Sequence, residues 1–176
     1  MNTEARAHLK RLLEGQRVLS LSVAIDGEPG IGLLPFAVLP DHTGVVVHVS
    51  SLASHAKGLA EGKTAAILIH QSEEAVSDPL QVPRVSMRAD VMECRRGTAE
   101  YDLGRAIYLS RFPDAAVTFE LADFRLFELR FVCGRYVEGF AFVVDIAPED
   151  LRTMEPPEQP KTNQPPKRRL WTIPRE

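Results

Sequence analysis

Hydrophobic and polar residues alternate along several short stretches of this chain, which is the pattern of half-buried β-strands. The clearest case is residues 17–25, where Leu19, Leu21, Val23 and Ile25 alternate with small or polar residues. Turn-forming residues 26–30 follow, and residues 31–39 resume a strand pattern. These two stretches therefore predict an antiparallel hairpin.

The same reasoning predicts further strands at residues 45–49, 64–69, 83–92, 124–133 and 136–146. The run TAAILI at 64–69 is apolar throughout, which predicts a strand buried on both faces. Residues 84–91 place Val85, Met87, Ala89 and Val91 on one face and Arg84, Ser86, Arg88 and Asp90 on the other. Gly134 and Arg135 predict a tight turn between the last two strands.

Two amphipathic helices complete the pattern. Residues 3–13 place four apolar side chains on one side before Gly15, and residues 98–111 begin at the N-cap candidate Thr98 and end before Pro113. About six or seven short, mostly hairpin-linked strands with a few short helices predict a mainly β fold, an antiparallel barrel. We predict one barrel domain over residues 1–150.

Composition changes after Asp150. Six of the 13 prolines lie between Pro156 and Pro174, so residues 151–176 predict an extended, proline-rich C-terminal arm. The arm holds the only tryptophan, Trp171. An aromatic anchor in such an arm favours docking on a neighbouring surface, and a second subunit is the expected one.

Charge and composition exclude several classes of protein. The net charge of −3 gives no reason to expect binding to nucleic acid or to an anionic membrane. No apolar run approaches ~20 residues and the first residues lack a signal-peptide pattern, so we expect a cytoplasmic protein. Cys94 and Cys133 belong to no metal-binding spacing, and no metal site is expected.

One polar segment, residues 50–59, interrupts the predicted strands, and we call it the corner. Ser50, Ser51 and Ser54 stand where a helix needs N-cap hydroxyls, and His55 and Lys57 place positive charge in the first turn, where the helix dipole disfavours it. A bound anion would remove this conflict. The corner therefore predicts a phosphate site, although a capped helix with solvated Lys57 and packed His55 would fit the same residues.

Several motifs in order resemble the FMN-binding split barrels related to pyridoxamine 5'-phosphate oxidase, and most closely their haem-utilisation branch. The matching segments are SSLASHAKGL at 50–59, DPLQVPRVS at 78–86, FPDA at 112–115 and DF at 123–124. The resemblance implies a homodimer with FMN at its interface and phosphate or flavin contacts from the residues Ser50, Ser51, His55, Lys57, Arg84 and Ser86. The chain departs from the family pattern at Gly32, Ala56 and Ala89, each of which removes a donor or a close-approach position.

The resemblance also sets the expected functions. The first is an FMN-dependent flavoprotein, an oxidoreductase acting on a small molecule, with no side chain assigned as catalytic. The alternative is a haem-binding or haem-degrading protein, for which the axial ligand would be one of His8, His42, His48, His55 and His70. A second alternative is a cofactor-free dimeric interaction module that uses residues 167–171 of the arm.

Overall fold

The computed structural model of the protein describes residues 1–59, 63–139 and 142–152. Its seven strands are β1 (Val18–Ile25), β2 (Glu28–Val38), β3 (Gly44–Ser50), β4 (Thr64–His70), β5 (Arg84–Cys94), β6 (Phe124–Val137) and β7 (Val143–Ile146). Its α-helices are α1 (Thr3–Gly15), α2 (Ala99–Arg111), α3 (Ala116–Phe119) and α4 (Pro148–Arg152). Short 3-10 helices lie at Ser54–Gly58, Glu73–Ala75, Pro79–Gln81 and Pro113–Ala115.

Six of these strands close into an antiparallel barrel. The sheet order is β3-β2-β1-β4-β5-β6-β7, and pairing of β3 with β6 closes the ring. The long strand β6 pairs with β3 through its first half and with β7 through its second half, so β7 extends the sheet beyond the barrel. The predicted mainly β, antiparallel split barrel is confirmed.

The first hairpin shows how local sequence sets this topology. Asp26 and Gly27 both have positive φ, 53° and 88°, and Ile25 pairs directly with Glu28. Two positive φ angles make the two-residue turn whose twist matches the flanking strands. The turn is thus tighter than the five residues predicted, and β2 begins three residues earlier than expected.

The barrel core is filled from the strands and closed at both ends. α1 buries Leu9, Leu12 and Leu13 in the main core, as its amphipathic pattern predicts. The 3-10 helix Ser54–Gly58 covers the opposite end, where its Gly58 packs on Val23. A second, smaller core lies outside the barrel under α2, whose predicted N-cap Thr98 accepts a hydrogen bond from the Tyr101 amide.

Two predictions about the strands are wrong. Residues 134–135 form no turn, because β6 runs unbroken from Phe124 to Val137. Gly134 is needed instead for close packing of strands: a Cβ there would lie 2.7 Å from the Ser86 carbonyl oxygen and overlap the Met87 sulfur. In β4, Ala65, Ile67 and Ile69 face the core while the alternate residues are exposed or half-buried, so only one face is buried.

The boundary predicted at residue 150 stays a prediction. The last described helix, α4, ends at Arg152 and buries Leu151. Residues 153–176, which contain nearly all of the predicted arm and its Trp171, lie outside the described residues.

Candidate functional site

Ser50 ties the corner to the start of β6. Its hydroxyl donates to Asp123 Oδ2 at 2.6 Å and accepts from the Leu52 amide at 3.2 Å. The Ser51 amide donates to the Asp123 carbonyl oxygen at 2.7 Å. Ser50 therefore acts in the structure as a positioning residue, and a carboxylate stands beside it where the sequence predicts an anion.

The predicted N-cap is wrong. The helix of the corner is a five-residue 3-10 helix whose N-cap is Ala53, and no side chain hydrogen-bonds to it there. So short a helix has no separate first turn, and the proposed conflict between basic residues and a helix dipole disappears. The side chains of Ser51 and Lys57 are exposed, and no described residue forms an ion pair with Lys57.

His55 packs against the barrel. A Cβ on Gly32 would lie 2.6 Å from His55 Nδ1, so the imidazole occupies the space that a larger residue would need. Burial lowers the pKa of His55, which favours the neutral ring, and its Nε2 is buried without a partner among the described residues. Gly32, a departure from the family pattern, is thus explained by the position of His55.

The other two departures, Ala56 and Ala89, face the interior. Ala56 is 7% exposed, and Ala89 is fully buried beside the β-bulge at Arg88/Ala89. A hydroxyl at position 56 would be in the core of this barrel rather than at a surface anion site. Neither alanine therefore removes a donor from the exposed surface of the corner.

Arg84 and Ser86 lie near the start of β5, three strands away from the contact of the corner with β2. Ser50 pairs with Phe124 and Arg84 pairs with Val137, which are the two ends of β6. Across the sheet the separation is shorter: Ser86 shares a cross-strand row with Leu33, which follows Gly32, on which His55 packs. Three strand spacings, roughly 15 Å, separate Ser86 from Leu33. Arg84 donates to the Val82 carbonyl oxygen at 3.0 Å. The six predicted residues are therefore spread over the sheet, and no hydrogen bond within the described part of the chain joins Arg84 or Ser86 to the corner.

Ser86 lines a groove on the outer surface of β4 to β7. The groove has a volume of about 490 Å³, and Arg88, Cys133 and Arg135 border it with Ser86. Ser86 pairs with Arg135 and Arg88 pairs with Cys133, while Arg135 also donates to Asp145 at 2.8 Å. Arg135 was not predicted as a site residue, because the sequence placed it in a turn. The alternation of polar and apolar residues continues past Gly134, and this pattern could have identified Arg135 as a residue of β6.

An exposed apolar surface adjoins this groove, and we call it the open face. It comprises the outward residues of β1, β2 and β4 nearest the groove. The register joins Leu33, Ser20, Leu68 and Ser86 in one cross-strand row. Val18 is 43% exposed, Leu33 67% and Ile31 76%. Aliphatic surface and arginines thus lie side by side on one sheet.

The five histidines differ in burial and in their polar partners. His42 is fully buried with Nε2 2.9 Å from Glu14 Oε1, and His48 is buried under Phe119. His8 is ion-paired with Glu138, and His70 is exposed at the barrel rim. Within the described ranges, no three His, Cys, Asp or Glu side chains are arranged to hold a metal ion.

None of the helices in the described part of the chain combines the length and the apolar character that crossing a bilayer requires.

No protein-family profile and no curated protein sequence matches this chain. Solved structures do. A haem-binding protein from Mycobacterium smegmatis aligns with a TM-score of 0.77 and 24% identity over 89% of this chain. HutZ, the haem storage protein from Vibrio cholerae, aligns over 71% of this chain and 88% of its own, with a TM-score of 0.65 and 22% identity.

A protein of the pyridoxinephosphate oxidase family from Clostridium acetobutylicum, related to general stress protein 26, shares the architecture at low identity. Its TM-score is 0.65 and its identity 6%, over 86% of this chain and 99% of that one. The chain spans 63% of the length of the Mycobacterium smegmatis protein. The chain therefore has the same split-barrel fold as these haem-binding, haem storage and pyridoxinephosphate oxidase-family proteins.

Proposed function

We propose that two copies of this chain bind FMN between them, at the open face. The observation that carries the proposal is the outward-facing row of residues that joins the predicted contacts. Ser86 shares this cross-strand row with Leu33, and Leu33 follows Gly32, on which the corner residue His55 packs. The exposed apolar surface therefore lies between the corner and the start of β5. A second copy packed on that surface would bring the corner of one copy towards β5 of the other.

The chemistry of this surface suits a flat, amphipathic anion. FMN has a planar ring system that packs on aliphatic side chains such as Ile31 and Leu33, and a phosphate that pairs with cations. In this proposal Lys57 and Ser51 contact the phosphate, and Ser50 and His55 hold the corner in position. Arg84 and Ser86 of the partner subunit contact the cofactor from the other side.

A bound flavin supplies two-electron redox chemistry, which makes an oxidoreductase acting on a small molecule the expected activity. The residues of this chain would bind the phosphate, orient the ring and exclude water from the interface. We assign no side chain as an acid or a base.

The first experiment is a visible absorption spectrum of the purified protein, followed by titration into FMN with fluorescence detection. We expect saturable quenching that Lys57→Gln weakens about tenfold, because one charge-assisted contact to phosphate is lost. Lys63→Gln is the matched control, since Lys63 is also exposed. Absence of flavin bands together with absence of quenching would disprove FMN binding.

Haem is the second candidate, and one observation about His70 favours it. Its Nδ1 lies 2.8 Å from the Gln71 carbonyl oxygen, which can only accept a hydrogen bond, so Nδ1 is the donor and, in the neutral ring, Nε2 carries the lone pair. An iron ligand needs such a nitrogen. Arg84, the register partner of His70, would pair with a propionate.

A haem titration separates the two cofactors. We expect a sharp Soret band that His70→Ala abolishes and His8→Ala preserves, because His8 is engaged by Glu138. A Soret shift that survives His70→Ala would exclude His70 as the ligand.

The cofactor-free dimer is distinguished by the same measurements. It predicts self-association without binding of FMN or haem, and loss of association on removal of residues 153–176. Those residues lie outside the described part of the chain, so no contact within it supports this candidate.

A further inference from the structure

A separate cavity lies at the end of the barrel that α1 covers. Its volume is about 410 Å³, within the range of small-molecule sites. Arg11 and Gln16 at α1 border it on one side, and Gln71, Tyr136 and Glu138 border it on the other. It shares no lining residue with the groove of Ser86 and Arg88.

Tyr136 is a buried residue with a polar group that lines this cavity. Only 1% of the residue is exposed, and none of the described residues forms a hydrogen bond with its hydroxyl. The hydroxyl is not among the fully buried unpaired atoms and lines the cavity, so it is free to donate to a ligand there. Burial raises the pKa of Tyr136 against the opposing charge of Arg11, so the hydroxyl remains a donor.

Arg11 supplies the matching charge. Its side chain is exposed at the cavity, and no acidic side chain in the described ranges pairs with it. Its neighbour His8, one turn earlier on α1, is already paired with Glu138. Besides the His8–Glu138 pair, the cavity thus contains one guanidinium without an acidic partner, one unpartnered hydroxyl and two amide side chains, Gln16 and Gln71.

We propose that this cavity binds a small organic acid through its carboxylate. The Arg11 guanidinium presents paired N–H donors that match the two carboxylate oxygens, and the Tyr136 hydroxyl donates a further hydrogen bond. Gln16 and Gln71 offer both donors and acceptors to polar groups elsewhere on the ligand. The site is independent of the proposed cofactor site on the open face.

The test uses the full chain and isothermal titration calorimetry. The probes are a panel of two- to six-carbon hydroxy, keto and amino acids, with inorganic phosphate and sulfate as anion controls. For the panel member that binds best, we expect Arg11→Gln to weaken binding roughly 10- to 100-fold and Tyr136→Phe about tenfold. Tyr136→Phe should leave thermal stability unchanged, because its hydroxyl has no partner to lose.

Arg88→Gln is the matched control, an arginine on the outer surface that the cavity does not contain. It should leave organic-acid binding unchanged, whereas Arg11→Gln should leave FMN binding unchanged. The two binding proposals are therefore tested separately. The proposal is overturned if no acid binds at millimolar concentration, if phosphate or sulfate binds as well as the best acid, or if Arg11→Gln and Tyr136→Phe have no effect.

Discussion

The two halves of strand β2 present similar residues outward but meet different surroundings. Outward positions Ile31, Leu33 and Pro35 are exposed, whereas Ala37, on the same strand face, is 2% exposed. The change comes from α2, which covers the second half of β2 together with β3 and β6. One helix therefore divides the outside of the barrel into a covered face and the open face.

The covered face is a second core, built from aromatic residues. His48 stacks on Phe119 with ring centroids 3.8 Å apart and meets Tyr108 edge-on at 5.8 Å. No described element lies over Ile31 and Leu33 in the same way. Contiguous exposed aliphatic surface of this kind marks interaction sites in soluble proteins. The contrast supports assigning stability to the covered face and recognition to the open face.

The largest expected effect is on the covered face. Phe119→Ala removes a side chain that is 2% exposed and stacked on His48, so we expect a loss of about 3–5 kcal/mol in the free energy of unfolding. Urea denaturation measures it. Ile31→Ala on the open face is the matched control and should change the monomer by less than about 0.5 kcal/mol. Equal losses for both variants would contradict the distinction between the faces.

The second-largest effect is expected from low pH, which should destabilise the covered face. Burial, reinforced by the charge of Arg96, lowers the pKa of His48 from 6.5 to about 4. As the pH falls, His48 is protonated in the unfolded chain before it is protonated in the folded chain. Its contribution to the free energy of unfolding is therefore complete above pH 6.5 and is lost as the pH falls towards 4. We expect a loss of roughly 2–3 kcal/mol over that interval, measured by denaturation at each pH.

His48→Leu tests whether His48 causes that pH dependence. The variant should remove most of the loss in unfolding free energy between pH 6.5 and 4. Replacement of the exposed His70 by alanine should leave that loss unchanged. A pH profile that His48→Leu does not alter would assign the effect to other groups.

A smaller effect is expected where the corner meets β2. Gly32→Ala would place a methyl group 2.6 Å from His55 Nδ1 and displace the ring, at a cost of about 1–3 kcal/mol. His55→Ala in the same chain should restore most of this loss, because it removes the clashing ring. A double variant no more stable than Gly32→Ala alone would show that His55 is not the cause.

The smallest effect on stability, and the largest on association, is expected on the open face. Leu33 is 67% exposed, so Leu33→Asp should change the unfolding free energy of the monomer by less than about 0.5 kcal/mol. It should nevertheless weaken self-association, since it places a charge in the proposed interface. Sedimentation velocity measures this, with Leu103→Asp on the exposed side of α2 as control. Unchanged association would remove the open face from the dimer proposal.

The sequence was a good guide to elements and to which residues face the core. Alternation predicted the inward set of β5, and the spacing of Leu9, Leu12 and Leu13 predicted the buried side of α1. Thr98 was identified as an N-cap because capping depends on neighbours in sequence. Local patterns of this kind are readable because the interactions behind them are local.

The misinterpreted residues all depend on distant partners. Gly134 resembles a turn residue, but it is needed because β5 passes too close for a side chain. Ser50 resembles a helix cap, but its hydroxyl binds Asp123, 73 positions away. Tyr136, Arg11 and their cavity were not identified because α1 and β6 meet only in the folded chain.

The sequence by itself determined the barrel class, the buried face of β5 and the polarity of the corner, because alternation and turn chemistry act over a few residues. Only the tertiary structure decided that Ser86 shares a cross-strand row with Leu33, that His55 packs on Gly32, and that α2 covers one half of β2. These features follow from strand register and ring closure, which pair residues far apart in the chain and leave no local pattern.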